Sequence, residues 1–575
     1  MYFQTVPRVS TLVGTMLVLL TASPKCAASA GVPDVDRVIL VVGQNVASVN
    51  GYVESVGPVP AGIMSYTSTA NAEGLDTGTD YGTGLICAEY FVTNSAYAST
   101  VIQLGLYVDN DLTNIISGVR DAHIAAIGNW IRNAGRPVYL RIGYEFDAPW
   151  NALLPDQYIA AYRHIVEAMR TNGVTNAVYV WHAACSPTYG GFPISAWYPG
   201  DDYVDWAGIS VFRQFDGALG TVADIDTFCA FAKSKNRPIM IAESAPYGGV
   251  SEARWTNWFQ PCLELIGRHH IQMWCYINTD WEAQPMFAGQ GWGDTRIQQN
   301  TCVQSNWLAA LSQPMFLKKS AELYPRLHAD ATNCWREAEG AMLNGVSVFA
   351  DPSASGGCAV AGLDAPGRAI TFTNAGSALQ FVLRYAATNT GTIGLYINSQ
   401  PRRSLPLAGP ADTADTSAYR DLLAHATIPS GATVKFQFDA GDVSVRLDSV
   451  LFRSYTDSDG DGLPDDWERW RFGTLAYSGN DDPDGDHSPN YSEFAADTDP
   501  LNSASAVRID SLSADSGVAK IMFSAPTNRD CLIQYSSDLR SWIFAPTAVR
   551  SDGASVNVTL SNLPPNKLFF RLTIP

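Results

Sequence analysis

Two glutamates draw attention because each closes an apolar, strand-like run. Glu145 follows Tyr139-Leu140-Arg141-Ile142-Gly143-Tyr144, and Glu243 follows Ile239-Met240-Ile241-Ala242. Two carboxylates that face one cavity can divide the work of breaking a glycosidic bond. One is protonated and assists the leaving group; the other is ionised and attacks the anomeric carbon, and a separation of about 5–5.5 Å leads to a covalent intermediate and retention. The competing reading makes each a salt bridge at a rim. It weakens because both fall at equivalent places, 98 positions apart, which is three units of about 33 residues, close to the roughly 30 that a βαβ unit needs.

A second set of acids has ligand spacing. Asp457, Asp459, Asp461, Asp465 and Glu468 occupy positions 1, 3, 5, 9 and 12 of an EF-hand-type loop, with Gly462 at position 6 and the Leu463 carbonyl at position 7. Hard oxygens at this spacing wrap one calcium ion. Asp482, Asp484, Asp486, Ser488, Asn490 and Glu493 repeat the pattern, but His487 stands where glycine is usual, so a more strained turn is expected. Both loops are expected to serve a stiff joint between domains, with calcium structural and no catalytic cofactor needed.

Eight apolar runs must position the first pair: Val38–Val42, Gly62–Tyr66, Ile102–Tyr107, Val138–Ile142, Ala177–Trp181, Trp206–Val211, Pro238–Ala242 and Gln272–Tyr276. They alternate with helical stretches, among them Thr113–Ala134, Pro155–Thr171, Asp224–Ser234, Glu252–Arg268 and Gln299–Leu311. Such alternation predicts a parallel sheet covered on both faces, and eight units fit a (β/α)8 barrel whose chemistry sits at the C-terminal strand ends. Glu145 and Glu243 then end strands four and seven. The expected domains are a signal peptide over 1–30, the barrel over 31–315, a linker over 316–332, a β-sandwich over 333–454, the calcium-binding segment over 455–505 and a small β-domain over 506–575.

Composition agrees with this reading. Lys and Arg total 37 against 56 Asp and Glu, a net charge of −19, which argues against nucleic acid and anionic lipid as partners. Residues 457–499 alone hold 13 acids against two bases, a net of −11. Arg8, the apolar run Leu12–Ala22 and Ala28-Ser29-Ala30 have the form of a secretory signal cleaved after Ala30, so an exported monomer is expected. Of the cysteines beyond that site, Cys334 and Cys358 flank a domain edge and could pair. Eleven of the 15 Trp lie in the barrel segment. Candidate sugar contacts at strand ends are Arg141, Tyr144, Trp181, His182, Phe212, Trp274, Tyr276 and Trp281.

Residues 35–315 resemble glycoside hydrolase family 26. Arg141-Ile142-Gly143-Tyr144-Glu145-Phe146-Asp147-Ala148-Pro149-Trp150-Asn151 is similar to its acid/base strand, Ile241-Ala242-Glu243 to its nucleophile strand, and Tyr198 to Gly208 to its strand-six signature. The resemblance implies Glu145 as acid/base and Glu243 as nucleophile. Tyr144 stands where the family's mannanases carry His, and Phe212 falls where they carry Tyr; the Tyr-Glu-Phe-Asp form is closer to the β-1,3-xylanase branch. Tyr276 is then the expected source of a hydroxyl for the nucleophile. Residues 333–454 resemble carbohydrate-binding modules of families 6 and 35, which implies calcium ligands at Glu337, Glu339 and Asp448. The calcium loops resemble the short repeats of secreted bacterial proteins. Together these imply a secreted, retaining endo-β-glycanase acting on a polysaccharide such as β-1,3-xylan or mannan. An exo-acting enzyme and a non-catalytic glycan-binding protein are the alternatives.

Overall fold

The computed structural model describes residues 27–575 apart from 109–110, 314, 410–418, 516, 526–529, 541, 551–554, 565–566 and 574–575. Eight parallel strands form a closed barrel: β1 (Val38–Gly43), β2 (Gly62–Ser68), β3 (Val101–Tyr107), β4 (Val138–Ile142), β5 (Ala177–Ala183), β6 (Trp206–Val211), β7 (Ile239–Ser244) and β8 (Ile271–Ile277), with β8 pairing back to β1. The expected strands are all present. Helices Val46–Val56, Asp121–Asn133, Pro155–Thr171, Val222–Ser234, Gln260–His269 and Thr301–Leu311 surround them. The helix expected over 113–134 is broken: Leu112–Ile116 and Asp121–Asn133 flank Gly118, whose φ of +80° a right-handed helix cannot hold.

Alternation along the strands makes two cores. Leu40, Val42, Leu104, Leu140, Trp181 and Ile241 face the helices, whereas Ile39, Val41, Met64, Val180, Met240 and Cys275 fill the barrel. Below the strands, Trp206 Nε1 donates to the Ala30 carbonyl (2.8 Å) and the Tyr139 hydroxyl donates to that of Gly31. The N-terminal segment therefore closes the barrel floor.

Beyond the barrel, two antiparallel sheets form a sandwich. One contains Ala331–Glu337, Val445–Ser454, Cys358–Leu363, Ser347–Ala350, Ala378–Ala387 and Arg420–Ile428; the other contains Met342–Asn344, Ala369–Ala375, Ala432–Gln437, Gly391–Ile397 and Gln400–Leu407. Ala27–Ser29 joins the first sheet, antiparallel to Ala331–Asn333; residues 1–26 of the expected signal peptide lie outside the described residues. In the expected linker, Phe316–Leu317 lies along β1 and Leu327–His328 pairs with Val32–Pro33. Buried Arg453 fastens sandwich to floor, donating to the Pro33 carbonyl (2.9 Å), Gln272 Oε1 (2.7 Å) and Asn333 Oδ1 (2.9 Å). Cys334 and Cys358 are separate thiols, not the pair that their positions suggested. Two three-stranded sheets follow within 508–573. Among the described residues, no helix is long and apolar enough to cross a membrane.

Candidate active site and acidic loops

At the C-terminal strand ends, Glu145 and Glu243 are both buried, at 9% and 7% exposure. Arg141 on β4, four residues before Glu145, forms an ion pair with Glu243 Oε1. The Tyr66 hydroxyl on β2 donates to the same oxygen (2.9 Å). Gly105 on β3 makes room for this meeting. A Cβ there would lie 2.5 Å from the Tyr66 ring and 2.8 Å from Arg141 Nη2.

Glu145 sits just after β4 in a left-handed conformation, φ +55°, two residues after Gly143 at the same φ. The cost of a non-glycine residue there is about 1–3 kcal/mol. Asn151 straps the turn: its Nδ2 donates to the carbonyls of Tyr144 (3.1 Å) and Glu145 (2.8 Å). Ser210 Oγ on β6 donates to Glu145 Oε1 (2.7 Å), and Trp150 Nε1 donates to Oε2 (3.1 Å). Burial pushes the Glu145 carboxyl up, and the Glu243 charge adds to that, reaching about 8; the Ser210 and Trp150 hydrogen bonds oppose the rise. Asp147, buried beneath, accepts from the Ala184 amide (2.6 Å), and burial lifts it to about 6.

The candidate sugar contacts divide by strand parity. Tyr144 lies in the cleft between Tyr66 and Tyr107, with the Arg141 guanidinium 5.2 Å from its ring. His182 also points inward but is wholly buried. Trp181, Trp274 and Tyr276 are not in the cleft. They occupy the outward positions of β5 and β8 and pack against helices: Trp181 on Phe228, Trp274 and Tyr276 on Trp307. The Tyr276 hydroxyl donates to the Thr295 carbonyl (2.5 Å), so Tyr66 replaces it as the hydroxyl on Glu243. Phe212 and Trp281 are buried beneath Trp292, which both rings meet. Tyr66, Ser210 and the half-exposed Trp150 were missed as site residues; inward parity at the ends of β2 and β6 was the available signal.

Both acidic loops have one hydrogen-bond pattern. Asp457 Oδ1 accepts from Gly460 N and Oδ2 from Gly462 N; Asp482 accepts likewise from Gly485 N and His487 N. His487 takes φ +75°, the strained turn expected there. Oxygens of Asp457, Asp459 and Asp461 lie within 4.8 Å of one another, as do those of Asp482, Asp484 and Asp486. Both oxygens of buried Glu468, together with Asp461 Oδ2, Asp484 Oδ2, Asp486 Oδ2, Asn490 Oδ1 and Glu493 Oε2, are buried without a hydrogen-bond partner. In each loop, a cluster of three carboxylates with orphaned buried oxygens beside it suits the hard-oxygen donor set of a calcium ion. Asp465 departs from the expected set: its carboxylate takes the Ser458 amide and hydroxyl (both 2.7 Å) and Arg469 (2.9 Å). In the sandwich, Glu337 and Asp448 converge on the Ser355 hydroxyl (2.5 and 3.0 Å), beside Glu339. Lys233 pairs with Glu337 (3.5 Å) and Arg384 with Asp448 (2.9 Å), so cations of the protein already face two of the three carboxylates.

Carboxylates ending the fourth and seventh strands of an eight-stranded parallel barrel, one raised by burial and one ion-paired, define a glycoside hydrolase of the (β/α)8 class. Comparison with known proteins gives the family. A family model for glycosyl hydrolase family 26 matches residues 96–252. The chain is 31% identical over 324 residues to a beta-1,3-xylanase of a Vibrio species, spanning 52% of this chain and 69% of that one. It is 29% identical over 320 residues to a beta-1,3-xylanase of an Alcaligenes species, spanning 51% and 67%. It also aligns with the solved endo-beta-1,4-mannanase of Cellulomonas fimi at 16% identity and a TM-score of 0.38, over 74% of this chain and 99% of that one. The chain belongs to glycosyl hydrolase family 26.

Proposed function

We propose that this enzyme is an exported, retaining endo-β-glycanase, with β-1,3-xylan as its first candidate substrate. Glu243 attacks the anomeric carbon. Glu145 gives its proton to the leaving oxygen, then takes one from water. The single observation that carries this reading is the asymmetry of the pair: Glu243 is ion-paired to Arg141, while Glu145 is held protonated at neutral pH by burial and by the Glu243 charge. Once Glu243 is esterified, that charge is gone, and Glu145 becomes the better acid and then the base. Tyr144, Tyr107 and Trp150 offer rings to a pyranose. The substrate choice rests on the names of the two xylanases similar to this chain. The acidic loops bind structural calcium through Asp457, Asp459, Asp461 and Glu468, and through Asp482, Asp484, Asp486, Asn490 and Glu493.

The test is hydrolysis of a polysaccharide panel by wild type, Glu243→Ala and Glu145→Ala, with product sizes and anomeric configuration followed by NMR. Short and medium oligosaccharides of retained configuration, lost in both variants, are expected. Full activity in both variants, or inversion, overturns the reading.

A further inference from the structure

The two carboxylates are joined by buried side chains whose order fixes a proton. Arg141 Nη1, which donates to Glu243, also lies 3.3 Å from His182 Nδ1; His182 Nε2 lies 3.0 Å from Ser210 Oγ; and Ser210 Oγ lies 2.7 Å from Glu145 Oε1. Arg141 and His182 are fully buried and Ser210 is 1% exposed.

The direction of this chain follows from its first member. A guanidinium has donors only, so His182 Nδ1 must accept. Burial and the Arg141 charge hold the imidazole neutral, which leaves its one proton on Nε2. That N–H donates to Ser210 Oγ, and the single serine proton is left for Glu145 Oε1. We propose that Arg141, acting through His182 and Ser210, selects the oxygen of Glu145 that carries the transferable proton: Oε1 is held as an acceptor by the shorter bond from Ser210 (2.7 Å), and the proton rides on Oε2, a hydroxyl oxygen that can accept the longer Trp150 N–H (3.1 Å) and still donate into the cleft. Ser210 and His182 are therefore positioning residues. Arg141 serves both carboxylates at once, with one Nη1 directed at Glu243 Oε1 and at the head of the relay. The inference rests on Glu145 being the acid/base.

The ionisable groups around Glu145 are Glu243 from β7, Asp147 and Tyr144 from its own segment, and Cys185 after β5. None of them donates to Oε1 in place of Ser210. A hydrogen bond to a carboxylate favours its ionised form, so removing the Ser210 hydroxyl raises the Glu145 carboxyl further.

The experiment measures the pH profile of kcat/KM, and kcat on an activated aryl β-xyloside, for wild type, Ser210→Ala, Ser210→Thr and His182→Leu. For Ser210→Ala the basic limb is expected to move up by about one pH unit, and kcat to fall about tenfold because the base form is less available. Ser210→Thr restores both. His182→Leu frees the serine proton and moves the limb in the same direction, a second reading should Ser210→Ala fold poorly. A limb that stays in place in folded Ser210→Ala or folded His182→Leu overturns the inference. Glu145→Gln separates the two ideas: if it retains wild-type activity, the acid/base reading itself fails; if it is inactive and the limb does not move, only the relay fails.

Discussion

Tyr66 and Glu243 meet across the barrel, the β2 hydroxyl donating to the β7 carboxylate over 2.9 Å. The hydroxyl that steadies Glu243 thus comes from β2. Strand six supplies Phe212, and Tyr276 on β8 turns toward the helices. A hydrogen bond to a charged acceptor is worth about 1.5–3 kcal/mol, so Tyr66→Phe is expected to lower kcat/KM by roughly tenfold to a hundredfold. Steady-state kinetics on soluble substrate checks this. Tyr276→Phe should instead lower the unfolding midpoint and leave KM in place.

Gly105 is the spacer for that contact. Alanine there would press on the Tyr66 ring and Arg141 at 2.5 and 2.8 Å, distances that require both groups to move. Gly105→Ala is expected to cost roughly a hundredfold in kcat/KM, since misplacement of about 1 Å can have that effect. Tyr66→Phe in the same background should add little, because the bond it removes is already broken.

Glu145 also writes a pH dependence into stability. Its carboxyl titrates near 8 in the folded chain, from an ordinary value of 4.5. Between those values the folded state holds a proton that the unfolded state has released, so stability falls as pH rises. Glu145→Gln is expected to match wild type near pH 5 and to unfold at a higher temperature than wild type at pH 8. Calorimetry at the two pH values provides the comparison.

Calcium removal should act in the same sense elsewhere. Burial and the neighbouring Asp461 and Asp459 charges raise Glu468 to about 8; burial and nearby Asp484 and Asp486 raise Glu493 to about 7. Without a bound cation, Glu493 is mostly ionised and Glu468 about half ionised at pH 8, and neither has a counter-charge. The unfolding midpoint is expected to drop by about 5–10 °C on chelation, to recover with added calcium, and to respond less in Glu468→Gln.

Much of the architecture was legible from residues. Apolar runs of strand length with amphipathic stretches between them gave eight strands, because a covered parallel sheet leaves no polar face to disguise them. The acidic loops could be placed because their Asp-x-Asp-x-Asp spacing repeats, and both fold with the same Asp-to-backbone hydrogen bonds. The side-chain directions at the site were less so. On β7, Ile239 and Ile241 face the helices, and strict alternation would send Glu243 the same way. The register with β6 pairs Ile209 with Ile241 and then Ser210 with Glu243. Ala242 is the extra residue of a bulge, and the bulge turns Glu243 into the barrel. No residue type announces that step. Trp181, Trp274 and Tyr276 were misplaced for a simpler reason: they alternate with the inward-facing Val180, His182 and Cys275, so their parity pointed to the helices. Trp181→Ala and Trp274→Ala should accordingly cost about 3–5 kcal/mol of stability, as urea unfolding would measure, whereas Trp150→Ala should lower activity at unchanged stability.

The floor of the barrel is made partly by residues from outside it. Pro33 is held by Arg453, Val32–Pro33 by Leu327–His328, and Asp34 by Arg326 (3.1 Å) and His328 (3.0 Å). Through Asp466 (2.6 Å from His328) and Asp497 (2.8 Å from Arg37), the same clasp includes the acidic segment over 455–505. The smallest autonomous catalytic unit is therefore longer than the barrel. A fragment ending near residue 315 would open its own base, and one ending before Asp497 would leave Arg37 and Arg326 without that carboxylate.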